Sequence, residues 1–460
     1  MNDSHAEIVI AGAGIGGVAT AYHLARKYGK TNVLIIDPEP PLSVTSDKSF
    51  EGYRNWWPGP DDAMVSLTND SIDMIEAIHR QHPDYVQMDR NGYVFASQDP
   101  GKAAEVLASA RESCALGAGE LRVHRGQPGD PLYRPACSHG VWDAPDGADV
   151  ILDRALIRQH FPHLHPDTAV VLHTRRCGIF SARMCGSFML EQAQAHGVRF
   201  VTGEVVGVTC LDGAVTAVDV QTPAGRQTIT TDNFVVAAGP GQKRVAALLG
   251  VDLPVTAELH MKVSVEDREH VLPRDLPITV SLDRVYLDWS DEERELLAES
   301  EETAWLLAEL PDMAIARAEG GPESNNILLQ WHYRLQPPEP AFPLPMDPDF
   351  PEYVLRGVSK MLPGLSIYKD RLPKPFVDGG YYVRTSENRP IIGPLPVRGA
   401  FIIGALSGSG MQLAPAGGEL LADHIAGGAL PHYAAAFRLE RFDDPEYLRL
   451  IEAWGYTGNI

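Results

Sequence analysis

The sequence lacks the features of several protein classes. Acidic residues outnumber basic residues by 61 to 39, and the formal net charge of −22 disfavours nucleic acid or an anionic membrane as a partner. No apolar run reaches the roughly 18 residues that a membrane span requires. The short apolar stretch near the start has no basic segment before it, so we expect no signal peptide. These absences predict a cytoplasmic protein without a membrane span.

Cysteine is also sparse. The five cysteines of the 460-residue chain are scattered, their number is odd, and no two of them form a CxxC pair. This pattern predicts reduced thiols and no metal site. The nucleophile elbow of serine hydrolases and the HExxH motif of zinc proteases are both missing. The length favours two domains.

One motif near the start has a clear chemical meaning. The stretch IVIAGAGIGG at 8–17 predicts a buried strand, a GxGxxG turn and a helix. Gly12 allows the tight turn, Gly14 lets the backbone approach a pyrophosphate, and Gly17 lets the helix pack closely on the strand. The free N–H groups at the helix start, near Ile15 and Gly16, suit an anion.

An acidic residue completes this dinucleotide fingerprint. The second strand, NVLIID, ends at Asp37, which lies about 20 residues after Gly17, where a carboxylate accepts hydrogen bonds from the ribose. An acid at this place favours an unphosphorylated ribose, and therefore NAD or FAD rather than NADP. No second GxGxxG with its own strand and acid appears, of the kind expected in a chain that binds both FAD and NAD(P)H.

Further segments resemble one protein family along nearly the whole chain. These segments are AYHLA (21–25), TSDKSFEGYR (45–54), GEVVGV (203–208), AAGPG (237–241), TSENRPIIGP (385–394) and SGSGMQLAPAGGE (407–419). With the fingerprint they resemble the D-amino acid oxidase and sarcosine oxidase superfamily of FAD proteins. The resemblance implies an α/β fold: a Rossmann-like FAD-binding domain and a second α+β substrate domain on a mixed or antiparallel sheet.

The resemblance also implies domain limits. The FAD-binding domain should be discontinuous, over residues 1–88, 146–256 and 376–460. The substrate domain should take residues 89–145 and 257–375. Within it, residues 290–311 predict an acidic helix that begins with a capping box, and the proline-rich residues 335–351 predict a surface loop.

The same resemblance assigns cofactor contacts. The final glycine-rich loop should offer backbone N–H groups to the flavin ring, whose reduced form carries negative charge there. The contacts so implied are Thr45, Ser46 and Lys48 along the flavin and phosphates, Val205 at the adenine, Gly239 beside the cofactor, and Gly408, Gly410, Met411 and Gln412 at the ring. Gly380 stands where related proteins link FAD to a cysteine, so we expect non-covalent FAD.

The candidate catalytic residues depart from the family pattern. Gln412 replaces a lysine that binds the substrate carboxylate in sarcosine oxidase-like members, and Tyr382 replaces an arginine of D-amino acid oxidase-like members. Arg384 faces the same side of the strand as Tyr382 and is our first choice to pair with a carboxylate. Arg54 is the other cation expected near the flavin.

Aromatic and amide side chains complete the expected pocket. Trp56, Trp57, Trp331 and Tyr382 are the candidates for an aromatic pocket, and ordinary core packing is the alternative, favoured for Trp56 and Trp57. Gln330 lies on the strand where oxidases of this family carry an oxygen-activating lysine, for which Lys262 on a neighbouring strand is the substitute. The sequence therefore leaves oxidase and dehydrogenase both open, with O2 or another molecule as electron acceptor.

These features favour FAD-dependent oxidation of a C–N bond in an amine or amino acid. The alternatives are oxidation of a 2-hydroxy acid or polyol, an aromatic monooxygenase, and a non-catalytic flavoprotein subunit. Monooxygenases usually carry a Gly-Asp pair before the last helix, and this chain does not.

Overall fold

This computed structural model describes residues 4–136, 144–321, 323–333 and 340–454. The strands are β1 (Ile8–Ala11), β2 (Val33–Asp37), β3 (Gly52–Arg54), β4 (Met88–Asp89), β5 (Tyr93–Ser97), β6 (Leu121–His124), β7 (Ala148–Ile151), β8 (Val170–Thr174), β9 (Cys177–Phe180), β10 (Arg199–Thr202), β11 (Glu204–Leu211), β12 (Ala214–Thr222), β13 (Gly225–Thr230), β14 (Asn233–Val236), β15 (Thr256–Glu266), β16 (Ile278–Ser281), β17 (Ile315–Ala318), β18 (Asn326–Gln330), β19 (Phe376–Arg384), β20 (Ile391–Pro394) and β21 (Ala400–Gly404).

The α-helices are α1 (Ile15–Tyr28), α2 (Ala63–Gln81), α3 (Ala103–Ser113), α4 (Arg154–His160), α5 (Ala182–Ala195), α6 (Gln242–Ala247), α7 (Asp291–Ala298), α8 (Glu301–Ala304), α9 (Phe350–Ser359), α10 (Gly410–Ala426) and α11 (Pro445–Trp454). Within the described ranges, no helix is both long and apolar enough to cross a membrane.

A six-stranded sheet carries the dinucleotide fingerprint. Its order is β10-β2-β1-β14-β21-β20, and every neighbouring pair is parallel except β20 with β21. The central strand β1 is buried at every residue, as expected for a parallel strand covered on both faces. Helices α1, α5 and α10 pack together beside this sheet. The predicted Rossmann-like unit is therefore confirmed.

The second large sheet is mixed and has nine strands. Its order is β19-β15-β18-β17-β16-β5-β8-β7-β6, with β5 parallel to β16 and β6 parallel to β7, and antiparallel pairing elsewhere. Helix α9 packs its buried side against the core formed with β15 and β18. The predicted second sheet is confirmed. Its edge strand β19 continues towards β20 and thereby joins the two sheets.

The sheets cut across the predicted domain limits at two places. Strands β7 and β8, which lie in the predicted FAD-binding segment 146–256, pair within the nine-stranded sheet. Strand β19, which lies in the predicted segment 376–460, pairs there too. Buried apolar strands have the same pattern in either sheet, so the sequence alone could not choose their partners. The limits themselves stay a prediction.

The prediction of one continuous helix over residues 290–311 is wrong. Its capping box is present: the Ser290 hydroxyl accepts a hydrogen bond from the Glu293 N–H at 3.1 Å, and the Glu293 carboxylate accepts one from the Ser290 N–H at 2.7 Å. Ser300 then caps a second short helix, α8, through the N–H of Glu302. Leu296, within the first of the two helices, is 67% exposed.

Candidate active site

The first glycine-rich turn has the close contacts that its sequence implies. Gly12 has a φ of 120°, which favours glycine, and a Cβ on Gly17 would lie 2.1 Å from the Gly12 carbonyl oxygen. Helix α1 begins after Gly14 without a side-chain cap, and the Ile15 N–H donates to the Ser46 hydroxyl at 3.0 Å. The turn therefore presents backbone donors at a helix N-terminus, where an anion is favoured.

Asp37 ends β2 beside this turn. One of its carboxylate oxygens accepts from the Ala13 N–H at 2.7 Å, and the other accepts from the Glu39 N–H at 2.9 Å. Burial raises the pKa of the carboxyl above its ordinary value, although the two N–H donors act in the opposite direction. Each carboxylate oxygen can accept a further hydrogen bond, so Asp37 keeps acceptor capacity for a ribose.

The second glycine-rich loop lies between β21 and α10. Ala405 and Ser407 have positive φ angles of 51° and 53°, a conformation that costs energy for residues other than glycine. The buried Gln242 side chain accepts the Ala405 N–H at 3.1 Å and so holds this loop in place. A Cβ on Gly408 would lie 2.3 Å from the Tyr382 ring, so the loop also packs tightly against β19.

Helix α10 contains Pro415 and still continues to Ala426. Ser71 of α2 inserts its hydroxyl into the helix: it donates to the Gln412 carbonyl oxygen and accepts from the Ala416 N–H at 3.2 Å. The hydroxyl thus lies between the carbonyl and the N–H of an i, i+4 pair of the helix backbone, beside the proline. This contact fixes the first turn of α10, which carries Met411 and Gln412.

A large cavity of about 880 Å³ lies between the two glycine-rich turns. Most of the predicted cofactor contacts line it: Gly12, Gly14, Ile15, Gly16, Asp37, Thr45, Ser46, Lys48, Val205, Gly239, Gly408, Gly410 and Met411. Gly17 packs beneath the turn, and Gln412 lines a second cavity instead.

The walls of this large cavity fit a dinucleotide. The hydroxyl of Thr45 and the side-chain amide nitrogen of Gln242 are buried without a hydrogen-bond partner among the described residues. Buried polar groups are nearly always paired, so both atoms are suited to a ligand in the cavity. Gln242 was not predicted, because nothing in AAGPG marks the residue after it as a wall of the cavity.

A smaller cavity of about 220 Å³ adjoins the large one. The two share Ser49, Tyr382, Ser407, Gly408 and Met411 as walls. All six predicted catalytic residues line the smaller cavity: Arg54, Gln330, Trp331, Tyr382, Arg384 and Gln412. The structure therefore brings together residues from β3, β18, β19 and α10.

The two arginines of the smaller cavity have different surroundings. Arg384 forms an ion pair with Glu258, its guanidinium nitrogen lying 2.7 Å from a carboxylate oxygen. Arg54 lies over the Trp57 ring at 4.5 Å, and its backbone N–H donates to the Gln412 side-chain oxygen at 2.6 Å. The sequence did not point to Glu258, which already partly neutralises the cation predicted to bind a carboxylate.

The aromatic candidates divide between wall and core. Tyr382 lines both cavities, and its hydroxyl accepts from the Gln330 amide at 3.4 Å. Trp331 is 2% exposed, and its indole N–H donates to the carbonyl oxygens of Pro311 and Asp312. Trp331 thus contributes a small part of the wall and packs mainly in the core. Trp56 is buried completely, as expected for core packing.

Lys262 does not line either cavity. Its ammonium group donates to the Ser49 carbonyl oxygen at 2.8 Å, and burial lowers its pKa. Ser49 lines both cavities, so Lys262 is separated from the expected position of the flavin by Ser49. Its predicted role towards oxygen stays a prediction.

Several wall residues were missed by the sequence. His260 and His332 line the smaller cavity with their ring centres 3.1 Å apart, and the Tyr382 ring stacks on His260 at 3.6 Å. Burial holds the pKa of each imidazole well below its ordinary value, helped by neighbouring cations. Alternation along β15 indicates that Glu258 and His260 share one face of the strand. It does not show whether that face meets the cavity.

The proline-rich segment also reaches the cofactor side. Phe342 and Leu344 line the large cavity, and the Ala341 N–H donates to the Tyr381 hydroxyl at 2.9 Å. Residues 340–351 are therefore more than the surface loop that was predicted. Residues 334–339 lie outside the described part of the chain.

The four cysteines in the described part of the chain have no place in either cavity. Cys114, Cys177, Cys185 and Cys210 are free thiols that line neither cavity, and Cys137 lies outside the described residues. Burial raises the pKa of Cys177 and Cys185, which keeps both thiols protonated and unreactive. Within the described residues, no thiol is placed to form a bond with a flavin.

The comparisons with known proteins agree with this geometry. The family model of FAD-dependent oxidoreductases known as DAO matches residues 7–424. The chain belongs to this family. Its cofactor is therefore FAD, and the chain is an oxidoreductase. A search of curated protein sequences found no match.

Solved structures similar to this DAO family member share its fold at low sequence identity. L-proline dehydrogenase from P. horikoshii has 18% identity and a TM-score of 0.72, over 96% of this chain and 98% of that one. Glycine oxidase from Geobacillus kaustophilus has 15% identity and a TM-score of 0.70, over 95% and 99%. Iminodiacetate oxidase from Chelativorans sp. has 19% identity and a TM-score of 0.67, over 94% and 98%.

Proposed function

We propose that this FAD-dependent oxidoreductase oxidises the C–N bond of a small amine or amino acid. The observation that carries the proposal is the pair of adjoining cavities. A dinucleotide-sized cavity meets a second one of about 220 Å³ at Tyr382, Gly408 and Met411. The second cavity is smaller than the roughly 300–1,000 Å³ typical of sites for drug-sized ligands, so it suits a small substrate.

The chain's own residues would bind and orient the substrate. When bound in the large cavity, FAD supplies the acceptor for a hydride from the carbon beside the substrate nitrogen. Arg384 is the proposed partner of a substrate carboxylate, and the Gln412 and Gln330 amides offer neutral polar contacts. The imine so formed is hydrolysed by water.

The structural neighbours support this choice of substrate class. The proteins of similar fold are described as acting on proline, glycine, iminodiacetate and a fructosyl amine, each of which carries a C–N bond. Their identity to this chain is below 20%, so they support the class of bond and leave the substrate itself open. The electron acceptor is O2 or another molecule, and a cytoplasmic location remains our expectation from the sequence.

The state of the cofactor is the first test. We expect a yellow protein whose FAD stays in solution when the protein is precipitated with acid. The reason is that Gly380 occupies the expected attachment site and that, within the described residues, no thiol lines the large cavity. Colour that remains in the protein pellet would contradict non-covalent binding.

The substrate test uses anaerobic flavin bleaching with glycine, L-proline, iminodiacetate, simple alkylamines and 2-hydroxy acids. Amines should bleach the flavin and 2-hydroxy acids should not. Bleaching by 2-hydroxy acids or polyols alone would replace the C–N assignment with the alternative oxidation. Bleaching by none of these compounds would favour a non-catalytic flavoprotein subunit.

The variant Arg384→Met then tests carboxylate binding. It should raise the apparent dissociation constant of amino acids at least tenfold and leave simple amines unaffected, because a charge-assisted hydrogen bond contributes about 1.5–3 kcal/mol. Arg384→Lys keeps a cation for Glu258 but loses the planar fork. The exposed Arg371, which lies outside both cavities, gives the matched control Arg371→Met. Equal effects on both substrate classes would remove Arg384 from substrate binding.

A further inference from the structure

Three rings form a column in the wall of the smaller cavity. Tyr382 stands at the boundary with the large cavity, His260 stacks on it at 3.6 Å, and His332 stacks on His260 at 3.1 Å. Glu258 approaches the column from β15, with a carboxylate oxygen 3.5 Å from the Nε2 atom of His260. The column thus places two imidazoles in the wall of the smaller cavity, and only its Tyr382 end also lines the large cavity.

Glu258, His260 and His332 also have the composition of a metal site, because their ligand atoms lie within 4.8 Å of one another. Their geometry does not fit a metal. A metal must lie near the plane of each imidazole, about 2.1 Å from its nitrogen. The ring centres lie 3.1 Å apart with planes inclined by only 27°, so the rings are stacked face to face and their nitrogen lone pairs do not converge on one point. Arg384, paired with Glu258, adds a repelling cation.

Oxidation of a C–N bond by hydride transfer requires an unprotonated substrate nitrogen in this cavity. The nitrogen lone pair must stabilise the cation that develops as hydride leaves the neighbouring carbon, and an ammonium group has no lone pair. Only about a thousandth of an alkylamine with an ordinary pKa near 10 is unprotonated at pH 7. An enzyme that works near neutral pH therefore gains from a base beside the substrate nitrogen.

The imidazoles suit this task better than the carboxylates of Glu258 and Glu51, each of which lies beside an arginine. Burial keeps the pKa of both histidines low, so they carry no extra proton at pH 7, and the neighbouring Glu258 carboxylate favours the protonated form of His332. The Nδ1 atom of His332 is buried without a hydrogen-bond partner among the described residues. By contrast, Glu258 pairs with Arg384, and Glu51 lies 3.5 Å from Arg317.

We infer that the stacked pair of His260 and His332 is the base that removes the proton from the substrate ammonium. This inference rests on the proposed function. An N–H bond of the ammonium breaks, its electron pair stays on nitrogen as the lone pair, and an imidazole nitrogen gains the proton. Nothing is oxidised or reduced in this step. Glu258 then stabilises the imidazolium, which returns the proton to water after product release.

The charges around the pair set its strength as a base. Glu258 favours the imidazolium form, and Arg384 disfavours it. Three other charged groups line the same cavity: Glu51, Arg54 and Asp312. Burial and Arg384 together keep the imidazole pKa low, which fixes the direction of the pH dependence. The rate of flavin reduction should rise as pH increases through the low imidazole pKa, and should then stay level through neutral pH.

The test compares His260→Phe and His332→Phe with the wild-type holoenzyme. Phenylalanine keeps a ring in the column and cannot accept a proton. His163→Phe is the matched control, because His163 is also buried with a lowered pKa and lines neither cavity. The probe is whichever of glycine, L-proline and iminodiacetate bleaches the wild-type flavin fastest. FAD content and melting temperature are measured first, and His332→Gln replaces any phenylalanine variant that does not retain FAD.

The readouts are the second-order rate of anaerobic flavin reduction from about pH 4 to 10 and the proton released to an indicator dye before reduction. At pH 7 the variants should lose between roughly tenfold and a thousandfold of the rate, and should regain it as pH passes through the ionisation of the free amine. They should also release about one proton per amine bound, where the wild type and His163→Phe release less.

Two results would contradict the inference in different ways. Variants whose pH profile and proton release match those of the wild type would show that the imidazoles only pack against Tyr382. Failure of every amine to bleach the wild-type flavin at any pH would instead overturn the proposed function, and this inference with it. Free imidazole that restores the rate of His332→Ala at pH 7, but not that of the wild type, would support the assignment.

Discussion

Replacement of Asp37 by alanine tests how the chain binds FAD. Asp37 lies at the end of β2 and lines the large cavity, with both carboxylate oxygens already holding backbone N–H groups. Alanine removes the proposed charge-assisted hydrogen bond to the ribose, which contributes about 1.5–3 kcal/mol. The dissociation constant of FAD should therefore rise by about ten- to 150-fold, at about 1.4 kcal/mol per factor of ten.

The same change also affects the apoprotein. The N–H groups of Ala13 and Glu39 lose their acceptor, and an unpaired N–H costs about 1–3 kcal/mol where it is buried. Asp37→Asn separates the two effects only in part, because asparagine loses the charge and keeps an acceptor oxygen for one of the two N–H groups. Glu39→Gln is the control, since Glu39 is an acidic wall residue of the same cavity whose side chain has no predicted contact.

The assay is titration of the apoprotein with FAD, followed by melting of the apo and FAD-bound forms. FAD at one hundred times its dissociation constant should stabilise the wild type by about 2.7 kcal/mol, and a hundredfold weaker variant by only about 0.4 kcal/mol. Because burial raises the pKa of Asp37, FAD affinity should fall on acidification at a pH above the usual range of a carboxyl. A dissociation constant unchanged within twofold would show that Asp37 only ends a strand.

Three further changes test other parts of the chain. Lys262→Met should slow reoxidation of the reduced flavin by O2 at least tenfold and leave anaerobic reduction unchanged; equal reoxidation would assign Lys262 a structural role. Phe342→Ala should speed FAD dissociation, measured by stopped-flow fluorescence, because Phe342 lines the large cavity. Ser290→Ala should lower the free energy of unfolding in urea by about 0.5–2 kcal/mol through loss of the N-cap, with no effect on activity.

The features that the sequence predicted best are local ones. The strand, turn, helix and acid from Ile8 to Asp37 lie within one βαβ unit, whose short connections fix the relative positions of its residues. The same holds for the loop and helix that begin at Gly408. Resemblance then supplied the long-range step, namely that both turns face one cofactor. The periodicity of apolar residues along the sequence could not have shown that the two glycine-rich turns lie close together.

The features that the sequence missed depend on strand pairing between distant segments. Glu258 meets Arg384 because β15 pairs antiparallel with β19, and the register sets Glu258 opposite Tyr382. His332 reaches His260 because β18 pairs with the other edge of β15. A shift of one residue in either register would turn these side chains to the opposite face of the sheet. Alternation along one strand shows which residues share a face but not what that face meets.

These pairings couple the two proposals about the smaller cavity. Arg384 holds Glu258 in the resting protein, and Glu258 is also the carboxylate nearest His260. A substrate carboxylate that binds Arg384 must compete with Glu258, and a buried carboxylate left without its cation favours a positive charge nearby. The nearest group able to become positive is the His260 imidazole.

An amino acid should therefore be deprotonated by the histidine pair more readily than a simple amine of equal pKa. The coupling has a measurable form. The effects of Arg384→Met and His260→Phe on flavin reduction by an amino acid at pH 7 should be less than multiplicative in the double variant, because both changes interrupt the same charge transfer. With a simple amine, which brings no carboxylate to Arg384, Arg384→Met should not slow flavin reduction in either the wild type or His260→Phe.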